Sequence, residues 1–349
     1  MSMDRPKQPI TVLIASPFEE AQVERIRAAY PHKVHVVHEP GLLCRPRYPA
    51  DHKGERPTLS DGELNTWLSL LREADVLLDL DWYAPERLPE LAPKVRWVQC
   101  THSGVAGMLV SAALDNCDDI VFTTAAGVHG GPLAEFAITA LLYFVKEVPR
   151  LSELKAQHVW DQRPSFELAG RRVLVVGLGG VGQRVAELCA CLGMEVWAAR
   201  RSSEDSPATI TRAVPYESIE TALPQVDAVV LACPLTEETR GLIGPDQLAA
   251  FRPTAVIVNL SRGAVIDEGA LATALLEQRI LGAALDVFEV EPLPADSPLW
   301  DLPNVLIAPH SAGLVEKESS RIVDIFVDNL GRYLEGMPLI NVFHPDRGY

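Results

Sequence analysis

The run Val173-Leu-Val-Val-Gly177-Leu-Gly179-Gly180-Val181-Gly182 constrains the fold of this chain more than any other stretch. Apolar, mostly β-branched residues lead straight into G-x-G-x-x-G, and a helical pattern follows over 183–192. Gly177 permits the tight turn, Gly179 lets backbone approach a pyrophosphate, and Gly182 allows close packing of helix on strand. The start of the helix, at Gly180 and Val181, then offers N–H groups to phosphate. A glycine-rich turn without function is the plainer alternative. A strand before, a helix after and a second strand–helix series beyond favour a dinucleotide site.

Which dinucleotide depends on the end of the next strand, where NAD sites usually place an acid on the ribose 2′-hydroxyl. Here Glu195-Val-Trp-Ala-Ala199 runs into Arg200-Arg201-Ser202, and Arg200 stands 18 residues after Gly182. A carboxylate there would repel a 2′-phosphate, whereas a guanidinium binds one through two hydrogen bonds. Two solvated arginines are the alternative. The expectation is a preference for NADP(H), with NAD(H) still open.

Short β-rich runs alternate with helical stretches almost throughout, the pattern of parallel α/β sheets. Strands are expected at 11–15, 34–37, 75–80, 96–100 and 120–123. A second series is expected at 171–177, 195–199, 228–232, 255–259, 282–287 and 305–308. Helices are expected at 132–150, 183–192, 268–277 and 315–334. Segment 39–60, rich in Pro, Gly and charge, reads as a mobile surface loop. At 349 residues two domains are expected. The simplest partition inserts 129–313 into an outer domain of 1–128 and 314–349.

The chain has a formal net charge of -16, which argues against nucleic acid or an anionic membrane as partner. The start, Met1-Ser2-Met3-Asp4-Arg5-Pro6, lacks the apolar core of a secretory signal. The longest apolar stretch, 133–148, is interrupted by Glu135 and Lys146 and is too short to span a bilayer. The six cysteines (Cys44, Cys100, Cys117, Cys189, Cys191 and Cys233) show neither CxxC pairing nor nearby histidines at ligand spacing. No metal is expected, and a reducing cytoplasm suits the chain best.

Three segments each end an expected strand of the inner sheet, where open α/β sheets place their ligands. They are Asn259-Leu260-Ser261-Arg262-Gly263-Ala-Val-Ile-Asp267, Asp286-Val-Phe-Glu-Val-Glu291-Pro292 and Ala308-Pro309-His310-Ser-Ala-Gly313. Together with Val98-Gln-Cys-Thr-His-Ser103-Gly104-Val105, Gly127-Val-His-Gly-Gly-Pro-Leu-Ala-Glu135 and Cys233-Pro234-Leu-Thr-Glu-Glu-Thr239, they resemble the D-isomer-specific 2-hydroxyacid dehydrogenases. That family includes glyoxylate/hydroxypyruvate reductases and phosphoglycerate dehydrogenases, and the resemblance runs over most of the chain.

The resemblance implies two doubly wound parallel-sheet domains of α/β class, a Rossmann cofactor domain inserted into a flavodoxin-like substrate domain. It implies that Arg262 holds the substrate carboxylate and polarises the carbonyl, because hydride addition builds negative charge on that oxygen. His310 matches the acid/base that protonates this oxygen, a task suited to imidazole. Glu291 matches the carboxylate that orients the histidine. Ser103, Gly104 and Val105 match the loop whose backbone binds the substrate carboxylate. Ala106 departs from the family, which often has Asp there. Asp286 and the backbone of Leu260, Ser261 and Arg262 are implied beside the nicotinamide, Pro234 with Thr239 along the cofactor, and His310 and Gly313 among the residues that bind it.

Each residue alone has a plainer reading: a surface cation, a turn histidine, a solvated acid. His129, His158 and His102 are rival histidines, of which only His102 lies beside the expected substrate loop. The reading is hydride transfer between NADP(H) and a small 2-oxo or 2-hydroxy acid bound in a cleft between domains of a homodimer. NAD-linked oxidation of D-2-hydroxy acids, phosphorylated ones included, and a non-catalytic nucleotide-sensing corepressor-like module remain as alternatives.

Overall fold

The computed structural model describes residues 9–115, 117, 119–200 and 207–345. The chain divides into two compact units, Met1–Val128 with Leu314–Tyr349, and His129–Gly313.

In the first unit the strands are β1 (Ile10–Ile14), β2 (Val34–Val37), β3 (Val76–Leu78), β4 (Trp97–Gln99) and β5 (Val121–Thr123). All pair in parallel in the order β2-β1-β3-β4-β5, the flavodoxin-like order. The strands are short apolar runs without alternation because both faces are covered. Leu13, Leu77 and Val98 pack with Trp67 and Leu71 of helix Asp61–Glu73. On the other face Val12, Ile14, Val76 and Trp97 meet Ile322, Val323 and Phe326 of helix Glu318–Glu335, with the Trp97 and Phe326 rings stacked at 5.2 Å. Burying side chains of this size stabilises by about 1.5–3 kcal/mol each. Ser60 and Glu63 form a capping box that fixes where helix Asp61–Glu73 begins.

The segment 39–60 is more built than its composition suggests. Leu42, Leu43 and Cys44 sink into the core, and Arg45 pairs with Glu55 in an antiparallel bridge. Asp51, buried beneath it, accepts hydrogen bonds from Arg47 Nε (2.7 Å) and from the Gly54 N–H (3.0 Å). Three apolar residues and one satisfied carboxylate outweigh the polar remainder.

The second unit holds β6 (Arg172–Val176), β7 (Glu195–Ala199), β8 (Arg212–Val214), β9 (Ala228–Leu231), β10 (Val256–Asn259), β11 (Gly282–Leu285) and β12 (Val305–Ile307). Its parallel sheet runs β12-β11-β10-β9-β6-β7-β8. Counted from β6, that is the Rossmann order with one strand added at an edge. The fold class therefore matches the expectation in both units. Strand β8 is absent from that expectation: it is a three-residue edge strand containing Arg212, whose guanidinium lies over Trp197 at 4.3 Å.

The long helix expected at 132–150 is two helices, Gly130–Val145 and Val148–Gln157, separated by Glu147 at φ +54°. Pro149 is the reason, since its ring would clash with the carbonyl of Val145 in a continuous helix. Among the described residues, no helix is long and apolar enough to cross a membrane.

Candidate active site

Gly177 ends β6 with φ +92°, and a Cβ there would stand 2.8 Å from the backbone N and Cα of Cys233. A Cβ on Gly182 would lie 1.8 Å from the Gly177 carbonyl oxygen, so the first turn of helix Gly180–Cys191 closes only around glycine. Around Gly179 nothing lies within 4 Å of a Cβ position. Gly179 is also the N-cap and contributes no side-chain cap to the first N–H groups, which include that of Val181. Tight where it must fold and open where a ligand would pass, this turn fits a dinucleotide pyrophosphate.

Arg200 directly follows β7, and its N–H donates to the Val214 carbonyl at 3.1 Å. Arg201 and Ser202 lie outside the described residues. After β9, Pro234 is exposed, while Thr239 is buried and donates its hydroxyl to the Pro234 carbonyl at 2.7 Å. Thr239 also accepts from the Thr236 N–H at 2.8 Å, so its side chain shapes the loop that presents Pro234.

The next three loops are tied together at the carboxyl ends of β10, β11 and β12. Asn259 is the hub. Its Oδ1 accepts from the Ser261 N–H (3.0 Å), its Nδ2 donates to the Arg262 carbonyl (3.2 Å), and its own carbonyl accepts from the Asp286 N–H (3.1 Å). Ser261 is buried and donates its hydroxyl to the Cys233 carbonyl. Leu260 is buried beside it, while Arg262 projects into solvent with Nη1 donating to the Ser261 carbonyl at 2.7 Å. A Cβ on Gly263 would lie 1.9 Å from the Phe288 carbonyl carbon, so the loop after β10 is pressed directly on the loop after β11.

Asp286 is 3% exposed and accepts from the Ser311 and Ala312 N–H groups at 2.8 and 2.9 Å, while its carbonyl accepts from the His310 N–H at 2.9 Å. Burial pushes the Asp286 carboxyl above its ordinary range, offset by those two N–H donors and by the nearby His310. His310 sits in the left-handed region at φ +51°, and its Nδ1 lies 2.7 Å from Glu291 Oε2. The other Glu291 oxygen accepts from the Phe288 N–H at 3.1 Å, which fixes the carboxylate. Both side chains remain partly open to solvent, His310 at 51% and Glu291 at 37%. Gly313 packs against His129, whose Cδ2 would stand 3.3 Å from a Cβ.

The arrangement offers an exposed guanidinium, a carboxylate-oriented imidazole and a glycine turn at one end of one sheet. Such a set can bind an organic acid, stabilise charge developing on its carbonyl oxygen and move a proton to it. Among the described residues no group of three or more His, Cys, Asp or Glu is placed to hold a metal.

The loop Ser103-Gly104-Val105 belongs to the first unit. Ser103 Oγ donates to the Ala125 carbonyl (3.0 Å), and Gly104 is exposed. Val105 is buried and heads the short helix Ala106–Ser111. Asp79, unmentioned in the sequence reading, holds this loop from below: Thr101 Oγ1 donates to it at 2.7 Å. Asn259 is the other omission, visible only as the first residue of a motif whose later members drew attention.

Comparison with known proteins identifies the family. The family model described as D-isomer specific 2-hydroxyacid dehydrogenase, NAD binding domain, matches residues 138–312. Glyoxylate reductase of Korarchaeum cryptofilum is 35% identical over 256 residues, 71% of this chain and 75% of that protein. Glyoxylate reductase of Aeropyrum pernix is 34% identical, over 78% of this chain and 83% of its own. Among solved structures, a D-isomer specific 2-hydroxyacid dehydrogenase from Xanthobacter autotrophicus, in complex with NADPH and MES, superposes with a TM-score of 0.77 at 27% identity. It covers 98% of this chain and 100% of that one. A family protein from Aeromonas salmonicida gives a TM-score of 0.78 at 29% identity, covering 97% of this chain and 100% of its own. With its Rossmann domain, its linked carboxyl-end loops and these relatives, the chain belongs to the D-isomer-specific 2-hydroxyacid dehydrogenases, which are NAD(P)-dependent oxidoreductases.

Proposed function

We propose that this chain is an NADP(H)-preferring reductase of a small 2-oxo acid, of glyoxylate or hydroxypyruvate size, working as a homodimer. The observation that carries the reading is the His310–Glu291 pair, held by backbone contacts beside the loop that bears Arg262. In this reading unit His129–Gly313 holds the cofactor, and the Ser103–Val105 loop of the other unit holds the substrate carboxylate through main-chain N–H groups.

When bound, the nicotinamide supplies the hydride. Arg262 anchors the acid and stabilises charge that grows on the carbonyl oxygen. His310 delivers the proton to that oxygen, and Glu291 at Nδ1 keeps the ring turned so that Nε2 is the atom that exchanges it. Asp286 fixes the His310 backbone and thereby the position of the ring. Leu260, Ser261 and Gly313 shape the floor, and Pro234 and Thr239 flank the cofactor. Arg200 supports the NADP(H) preference because it stands where an acid would favour NAD. NADPH in the Xanthobacter relative and the names of the two glyoxylate reductases agree with it.

The test is steady-state reduction of glyoxylate, hydroxypyruvate, pyruvate and bulkier 2-oxo acids, each with NADPH and NADH. Highest kcat/KM with NADPH and one of the two smallest polar acids is expected. No oxidation of either nucleotide by any acid would overturn the reading in favour of a nucleotide sensor. Light scattering after size exclusion checks the dimer.

A further inference from the structure

A buried polar cluster lies at the carboxyl ends of the first unit's own strands. The order β2-β1-β3-β4-β5 changes direction between β1 and β3, and open α/β sheets receive ligands in the crevice at such a point. Ser16 follows β1 there. It is 3% exposed, and its hydroxyl has no hydrogen-bond partner among the described residues. The adjacent Pro17 carbonyl accepts from His52 Nδ1 at 3.0 Å, and Ser319 Oγ lies 3.4 Å from His52 Nε2.

Asp79 follows β3 at φ +75°. Its carboxylate accepts from the Leu80 N–H (2.9 Å), from Thr101 Oγ1 (2.7 Å) and from the Thr101 N–H (3.5 Å). Glu318 is buried on the same side, and both acids act on His52, whose pKa burial pushes down. Among the described residues of this unit no Lys or Arg is buried. Of the cations on the neighbouring loop, Arg47 is paired with Asp51, and Arg45, Lys53 and Arg56 face solvent.

Thr101 is two residues from Ser103, a span of at most about 7 Å. The Asp79 carboxylate stands a further hydrogen bond (2.7 Å) behind Thr101, so its charge lies on the order of 10 Å from that loop, about one screening length at physiological salt, and buried charge is screened less than exposed charge. Any acid held by the Ser103–Val105 backbone therefore feels Asp79. We infer that Asp79 is a specificity residue, positioning the substrate loop and repelling a second anionic group, so that the enzyme takes 2-oxo acids with an uncharged distal end and rejects phosphorylated or sulfonated ones. The inference rests on the 2-oxo acid reductase reading above and narrows its substrate class.

The experiment compares hydroxypyruvate with 3-phosphohydroxypyruvate in the wild type and in Asp79→Asn, using NADPH. Asparagine tolerates positive φ and keeps an oxygen for Thr101, so the loop should persist without the charge. The wild type is expected to favour hydroxypyruvate at least a hundredfold in kcat/KM, and Asp79→Asn to shrink that ratio at least tenfold, mainly through KM for the phosphorylated acid. A purely structural role for Asp79 would lower both rates together and leave the ratio unchanged, which overturns the inference. So does a wild type that reduces the phosphorylated acid as well as the free one, a result already decisive if the variant fails to fold. If neither acid nor glyoxylate is reduced, the reductase reading itself falls and this inference with it.

Discussion

Glu291 Oε2 stands 2.7 Å from His310 Nδ1, although 19 residues separate the two in the chain. The contact is prepared from both sides. The Phe288 N–H holds the other Glu291 oxygen, and Asp286 binds the backbone on either side of the histidine side chain, through the His310 N–H and those of Ser311 and Ala312. A ring so oriented presents one nitrogen to protein and the other outward.

Glu291→Gln tests that orientation. The amide keeps the shape and removes the charge, so His310 loses its fixed tautomer and its stabilising anion. Positioned acid–base groups contribute about 10²–10⁴ in rate. We expect kcat for 2-oxo acid reduction to fall by about 10²-fold while NADPH affinity, measured by fluorescence titration, changes less than about threefold. Unchanged turnover would remove Glu291 from the mechanism.

The parts of the molecule that were legible in sequence are those where one residue type alone can do the job. Gly177 and Gly182 are forced by backbone approaches at which any Cβ would collide, so their spacing announces the turn. His310 and Arg262 were visible through motif register. Asp79 was not, because its hydrogen bond to Thr101 depends on the pairing of β3 with β4, which no local pattern encodes, and Asn259, though it bonds within its own loop, is one polar residue at a strand end with nothing in its spacing to mark it. Strand β8 failed to register for a related reason: three residues at a sheet edge carry too little periodicity. The segment 39–60 misled because composition counts residues equally, while Leu42, Leu43 and Asp51 decide where it goes.

Gly263→Ala probes the contact between the loops that carry Arg262 and Glu291. The new methyl would overlap the Phe288 carbonyl carbon at 1.9 Å, and backbone cannot rotate away as a flexible side chain can. Overpacking typically costs 1–3 kcal/mol, and a backbone collision belongs at about 3 kcal/mol. For a unit of this size that lowers Tm by roughly 6–12 °C. Calorimetry checks the stability, and kcat should fall with it because the Arg262 and Glu291 loops are driven apart.

The loop at 39–60 gives a pH prediction. Burial would raise the Asp51 carboxyl, but the Arg47 side chain and the N–H groups of Gly54 and Arg47 hold it well below the usual carboxylate range. A depressed folded-state pKa contributes stability that is present above the unfolded value, about 3.9, and is lost as pH falls through the folded value. Asp51→Asn should therefore destabilise at neutral pH, by about 1–3 kcal/mol for a broken buried hydrogen-bonded charge. The gap between wild type and variant should begin to narrow as pH drops below about 4 and go on narrowing until the folded carboxylate takes up its proton. Urea midpoints at pH 7 and pH 3.5 measure it, and an equal gap at both would rule out the ionised carboxylate as the source.

Arg200→Asp tests the cofactor preference. Arg200 leaves β7 with its N–H bound to Val214, so the sheet fixes its backbone directly after the strand. Substituting Asp restores the acid that a ribose 2′-hydroxyl prefers and sets like charge against a 2′-phosphate. Losing a charge-assisted, two-pronged contact and gaining a repulsion is worth about 1.5–3 kcal/mol, or roughly 10- to 150-fold in affinity. NADPH should weaken by that factor while NADH holds or tightens, both read by isothermal titration at fixed salt because the effect is electrostatic and screened. If both nucleotides weaken alike, Arg200 supports the fold of the strand end and leaves the choice between them to other residues.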